Sequence, residues 1–196
     1  GDFWAFYRRY LSADQSFGVV LPTYNHLWFV AYLWLYTMAA ALLWPLLPRF
    51  DRALGKALSG PGLWLVPAAG FGLLRVTLYP ANPETNIVWD DLYAHLHYGL
   101  AFALGLSLAT LATIWDRLAA YRHYSASLAL LISMFCVPLG FNLANGVPVS
   151  ALSSLARSAY AWLVIAALFG YARQHITKGS KTLSVLTEAV FPFYII

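Results

Sequence analysis

Arg75 has the sharpest chemical implication of any residue in the chain. It is the one charge in the run from Pro61 to Pro80. A guanidinium facing lipid costs about 3 kcal/mol or more, so it must find water, an anion or a partner. Arg75 lies five residues before Pro80, about 7 Å along a helix. Two readings stand side by side: it snorkels to the interface, or it meets an anion or substrate, with Asp90 or Asp91 as candidate partners. Asp91 and His95 are four residues apart and share a helix face. An Asp–His pair of this kind orients an imidazole for proton transfer; a solvated interfacial histidine is the plain alternative. His26 follows Asn25 at the head of a long apolar run and reads equally as a substrate contact or a helix cap. Glu188 is the lone acid of the last apolar stretch, beside Thr182 and Thr187, and a buried carboxylate there needs a partner.

Other chemistry is excluded. His95 and His97 point about 200° apart on a helix and do not share a metal easily. No Glu-x-x-His or cysteine ligand set supports zinc, so no metal is expected. The single cysteine, Cys136, rules out an intrachain disulfide and sits in an apolar run as packing. His123 and His175 lie beside basic loops and read as solvated. There is no Gly-x-Ser-x-Gly, Walker or Gly-x-Gly-x-x-Gly motif.

The elements that hold these residues must sit in lipid. The chain is 61% hydrophobic and 10% charged, where a soluble domain carries about 25% charged residues. From His26 to Leu47 no Asp, Glu, Lys or Arg occurs, and the stretch as a helix, about 33 Å, would cross a bilayer core of about 30 Å. Trp28, Tyr32 and Trp44 fall where interfacial aromatic belts are expected. Similar stretches recur. The expected architecture is an all-α, polytopic transmembrane helix bundle forming one membrane domain over 1–196. Its five full spans lie at about 26–47, 61–80, 93–114, 124–143 and 153–172, with a truncated sixth at 183–196. A short interfacial helix is expected within 1–25. Gly99, Ala101, Ala103, Gly105 and Ser107 give the third span a small-residue face for close helix contact.

Basic residues concentrate in loops 48–60, 115–123 and 173–182, whereas the acidic loop 81–92 has none. The positive-inside rule places the three basic loops in the cytoplasm and the acidic loop outside. The net charge of +4 is explained by those loops, and no nucleic-acid partner is expected. The chain lacks an initiator Met and stops within an apolar run, as expected of an internal piece of a longer membrane protein.

Two stretches carry a family resemblance. Asn25-His26-Leu27-Trp28-Phe29-Val30 resembles the His-Leu-Trp-Phe-Leu segment of the acyltransferase-3 family of membrane O-acyltransferases. Glu188-Ala189-Val190-Phe191-Pro192-Phe193-Tyr194-Ile195-Ile196 resembles that family's late segment. Between them Arg75, the Trp89-Asp90-Asp91 loop with His95, and Gly99 to Gly105 fall in the expected order. The branch it is most similar to modifies periplasmic glucans.

The resemblance implies an enzyme of the bacterial inner membrane. Such an enzyme takes an acyl group from acyl-CoA, a donor substrate rather than a resident cofactor, and delivers it to a carbohydrate hydroxyl on the outer side. It also implies a catalytic His in an Arg/Lys-x₁₀-His motif, which this sequence does not contain, so the piece alone is expected to be inactive. His26, Arg75, Asp91 and His95 are then acceptor-side or structural polar residues. The rival reading is a transporter or flippase module, in which Arg75 and the acidic loop line a substrate path.

Overall fold

A computed structural model describes residues 2–11, 28–85, 88–144, 151–176, 179–181 and 183–188, without the side chains of 9–11 and 137–144. His26 and the late segment after Glu188 lie outside the described residues. All regular structure among the described residues is helical. The helices are α1 (Phe3–Leu11), α2 (Trp28–Leu42), α3 (Leu47–Ala57), α4 (Gly62–Thr77), α5 (Leu92–Thr110), α6 (Ala112–Ala144) and α7 (Ala151–His175). Two of them, α5 and α7, are long and apolar enough to cross a membrane. A third crossing is added if the bent pair α2 and α3 counts as one span.

The expected first span breaks at its prolines. Pro45 falls in a single 3-10 turn, Trp44–Leu46, and Pro48 in the first turn of α3. Proline lacks the N–H a continuing helix needs but suits a first turn, so the chain restarts instead of extending. The two halves meet at a bend of 65°. The reason α3 turns away is in its sequence: Arg49, Asp51, Arg52 and Lys56 make it too polar to prolong an apolar span. At its end Gly60 adopts φ 55°, the left-handed conformation that glycine takes at least cost. Pro61 then caps α4.

Loop 115–123 proves to be helical. Only Leu111 separates α5 from α6, and Asp116, Arg117, Arg122 and His123 occupy the first turns of this 33-residue helix. Helix continues there without a loop, because Arg117, Leu118, Ala119, Ala120 and Arg122 are good helix formers. The expected second span, 61–80, shortens to the 16 residues of α4.

Neighbouring helices are tied end to end. Trp162 on α7 donates from Nε1 to the Leu63 carbonyl on α4 at 2.7 Å, and Leu155 packs on Gly72 nine residues further along α4. The two helices are therefore antiparallel. So are α6 and α7, which meet at Gly170, where an added Cβ would collide with the Leu118 carbonyl. In contrast α2 and α5 are parallel: Tyr32 meets Asp91 at one end, and beyond α2 Asp51 accepts from Ser107 Oγ and Thr110 Oγ1 at the other, both at 2.8 Å. Helix direction thus alternates along the chain, with the acidic loop at one end and the basic segments at the other.

The core cluster lies toward the basic end, around Leu58, Leu63, Leu104, Leu118, Trp162 and Ala166. Without a hydrophobic drive between helices in lipid, such contacts hold by close packing and by hydrogen bonds such as that of Trp162.

Of the small-residue face of α5, Ser107 meets α3 through Asp51, but the glycines make no close helix contact. Gly105 has open space where a side chain would be, and Gly99 reaches only Tyr36 at ordinary contact distance. Together with Ala103 it leaves a cleft instead. Close approach occurs at Gly170 and Gly72, on α7 and α4.

Candidate functional site

The polar residues of the bundle gather at the acidic end. Asp91 is the N-cap of α5: its Oδ1 accepts from the Ala94 N–H at 3.2 Å. This satisfies one orphan donor of the helix start. Its Oδ2 accepts from the Tyr32 hydroxyl at 3.1 Å and from the Thr85 N–H at 3.0 Å. Asp91 is only 3% exposed and Tyr32 only 1%. Tyr32 is therefore not an interfacial belt residue; Trp44, 66% exposed, keeps that character. The carboxylate fixes three pieces of chain at once: the start of α2, the acidic loop and the start of α5.

His95 stands one turn further along α5. Its Nε2 bonds the Val88 carbonyl, which can only accept, so that nitrogen carries the proton. The Nδ1 faces the Tyr36 hydroxyl at 3.4 Å, and that hydroxyl also donates to the His95 carbonyl, equally far away. The ring faces Tyr32 at 4.9 Å between centroids. The imidazole is thus oriented by Val88 and Tyr36, and the expected Asp91–His95 pair is replaced by two separate bonds. Geometry explains this: as the cap residue, Asp91 turns its carboxylate back onto the helix start and toward α2.

Two cavities adjoin the Tyr36–His95 pair. On one side an apolar cleft of about 380 Å³ runs between α2 and α5, from Phe50 past Leu43, Gly99 and Ala103 to Tyr36. On the other, a cavity of about 300 Å³ in the acidic loop is lined by Asn82, Thr85, Trp89, Asp90, Asp91 and His95. An apolar space and a polar space therefore meet across one hydroxyl and one imidazole.

Arg75 is placed elsewhere. It lies in the last turn of α4, with its guanidinium over the Tyr79 ring at 4.9 Å and within electrostatic reach of Tyr93 and His97. Among the described residues it forms no ion pair with Asp90 or Asp91; the one ion pair there is Arg173 with Asp116 at 3.4 Å. Asp91 is engaged by Tyr32 and Thr85, whereas Arg75 lies on the opposite side of α5, among Tyr79 and His97. There it lines a third cleft together with Arg157. His97, its ring beside Phe71, is held by the Tyr93 hydroxyl at 3.2 Å.

Glu188 belongs to neither group. It is exposed at the end of a short helical stretch, 183–188, and accepts from Ser184 Oγ at 3.2 Å. No cluster of three His, Cys, Asp or Glu side chains is placed to hold a metal among the described residues.

Sequence reasoning missed Tyr32 and Tyr36. Their spacing of four was a usable signal, since it puts both hydroxyls on one face of α2. It also missed Asp51, which was hidden in a basic segment. Compared with protein-family models, curated proteins and solved structures, the chain matches none of them.

Proposed function

We propose that the chain is part of a membrane acyltransferase that moves an acyl group from acyl-CoA to a carbohydrate hydroxyl, a periplasmic glucan or surface polysaccharide, at the bacterial inner membrane. In this reading the helices supply five full spans and part of a sixth. The observation that carries it is the Tyr36–His95 pair between an apolar cleft and a polar cavity. Acyl transfer needs both compartments, one for the acyl chain and one for the sugar.

In the reaction the acceptor hydroxyl loses its proton to a base and attacks the thioester carbonyl. The C–S bond then breaks, and the CoA thiolate leaves and takes up a proton. The resemblance implies that this base is the His of an Arg/Lys-x₁₀-His motif, which the 196 residues do not contain. His95 and Tyr36 orient the acceptor, and Asp91 holds the loop that carries its cavity.

A second reading, a transporter or flippase module, draws on the cleft lined by Arg75 and Arg157. One experiment separates them. Inverted membrane vesicles from cells with and without the gene are given radiolabelled acetyl- or succinyl-CoA, and glycan is assayed for label. Gene-dependent label supports acyl transfer. No label from several donors, in vesicles where the protein is inserted, overturns it in favour of transport.

A further inference from the structure

The third cleft, of about 580 Å³, opens between α4, α5, α6 and α7 at the acidic end of the bundle. Arg75 and Arg157 both line it, with His97, Tyr98, Ser133 and Ser158, and no Asp or Glu is among its described walls. Glu84 accepts from the Tyr98 hydroxyl at 3.4 Å but pairs with neither guanidinium among the described residues, so the two arginines keep a charge that an anion would neutralise. Guanidinium is the side chain whose planar donor fork matches phosphate.

The apolar walls continue from these charges in one direction. On α7, Arg157, Ala161 and Ile165 follow at intervals of four and so share a face, and all three line the cleft. On α4, Phe71 lies one turn below Arg75 and lines it too. Because α4 and α7 are antiparallel, both stripes run from the acidic end toward the middle of the bundle. Eight residues of α7 cover about 12 Å. Charge sits at the end of the helices and hydrocarbon contact lies deeper, which is how a membrane lipid is disposed. Ala101, Ala161 and Ile165 are exposed along this side, so the cleft is open for a chain to enter.

We infer that this cleft binds a membrane lipid with an anionic phosphate head, the phosphate between Arg75 and Arg157 and one acyl chain along Phe71, Ala161 and Ile165. The inference does not rest on acyl transfer, because binding is read without turnover.

The test uses the full chain in phosphatidylcholine nanodiscs, titrated with fluorescent phosphatidate. Saturable binding is expected, with preference over labelled phosphatidylcholine. Replacing both arginines in the pair R75K and R157K keeps the charge and the ability to snorkel but loses the fork, and is expected to weaken binding about tenfold. The exposed substitution Ile165→Trp keeps the arginines and fills the tail end. It should weaken long-chain phosphatidate while sparing the dihexanoyl form, and it serves as the test if the double variant fails to fold. Equal binding of phosphatidate and phosphatidylcholine overturns the inference. So does unchanged binding in both the Lys pair and Ile165→Trp. Displacement of the lipid by millimolar inorganic phosphate alone overturns it as well, since the site would then be one for a soluble phosphate.

Discussion

The Tyr32 hydroxyl reaches across 59 residues of chain to donate to Asp91 Oδ2 at 3.1 Å, and both side chains are buried. The bond joins two parallel helices that are not neighbours in sequence, at the point where the acidic loop closes. A hydrogen bond to a charged group contributes about 1.5–3 kcal/mol. Tyr32→Phe is therefore expected to destabilise the protein by about that amount, read as a lowered midpoint of thermal unfolding in detergent. Asp91→Ala removes the helix cap as well and should be worse. The double variant should be less damaging than the sum of the two, because the tyrosine and the carboxylate serve one another. Additive losses in the cycle would show that the bond contributes nothing.

His95 is held on both ring nitrogens, and that is a positioning arrangement. In the proposed reaction His95→Gln should lower transfer about tenfold to a hundredfold, chiefly as a raised KM for the glycan acceptor. The KM for the acyl donor should hold. Tyr36→Phe should give a smaller loss in the same sense, since its bond is long at 3.4 Å. A fall in kcat alone, with the acceptor KM unmoved, would count against an acceptor-side role.

The sequence made the class of the fold plain and its joints obscure. Hydropathy and the sparse charge are enough for a helical fold with segments long and apolar enough to cross a membrane, because lipid allows so few backbone arrangements. The bend at Pro45 was harder to place: proline ends many helices, but only the polar face of α3 shows that the chain turns aside instead of finishing its span. Charge in 115–123 does not mark a turn, because its arginines and alanines sit readily on a helix that emerges from lipid. At the site, spacing put Asp91 and His95 one turn apart, but Asp91 caps α5 from outside it and turns its carboxylate away from the imidazole. Spacing also puts Tyr32 and Tyr36 on one face of α2, but the partners of these two and of Arg157 depend on which helix lies beside which. The glycines of α5 illustrate the same limit, for small residues permit a close contact or a cleft, and only the neighbouring helix decides.

The meeting of α6 and α7 depends on the absence of a side chain at Gly170, where a Cβ would strike the Leu118 carbonyl and Arg122. Backbone cannot yield as a flexible side chain does. Gly170→Val is expected to force the helices apart at a cost of about 1–3 kcal/mol or more. Gly105→Ala should be tolerated, because nothing lies within reach of its added atom. Thermal unfolding and size-exclusion profiles of the two variants in detergent check the contrast, and equal behaviour would refute the packing described for α6 and α7.

The bond from Trp162 Nε1 to the Leu63 carbonyl locks α7 to α4 in a buried place. Trp162→Phe keeps most of the apolar volume and leaves that carbonyl without this donor, for an expected loss of about 1–3 kcal/mol. Trp162→Ala adds a cavity and should lose about 3–5 kcal/mol. If the two variants unfold at the same temperature, the hydrogen bond rather than the packing governs this junction.

Filling the apolar cleft tests the proposed use of its space. Ala103 lines that cleft beside Gly99 and Phe102, against Tyr36 and Leu43 of the facing segment. Ala103→Phe places a ring in a space of about 380 Å³ without touching the Tyr32–Asp91 bond at the helix ends. An acetyl group needs little of that space, a longer acyl chain much more. The variant should keep its unfolding temperature. It should lose transfer from long-chain donors by at least about 10–200-fold relative to acetyl-CoA, the range that a single methylene commands in a shaped apolar pocket. Competition between labelled acetyl-CoA and longer acyl-CoA donors in vesicles measures the ratio directly. A uniform loss across donors would mean that the cleft shapes the fold and not the choice of acyl group.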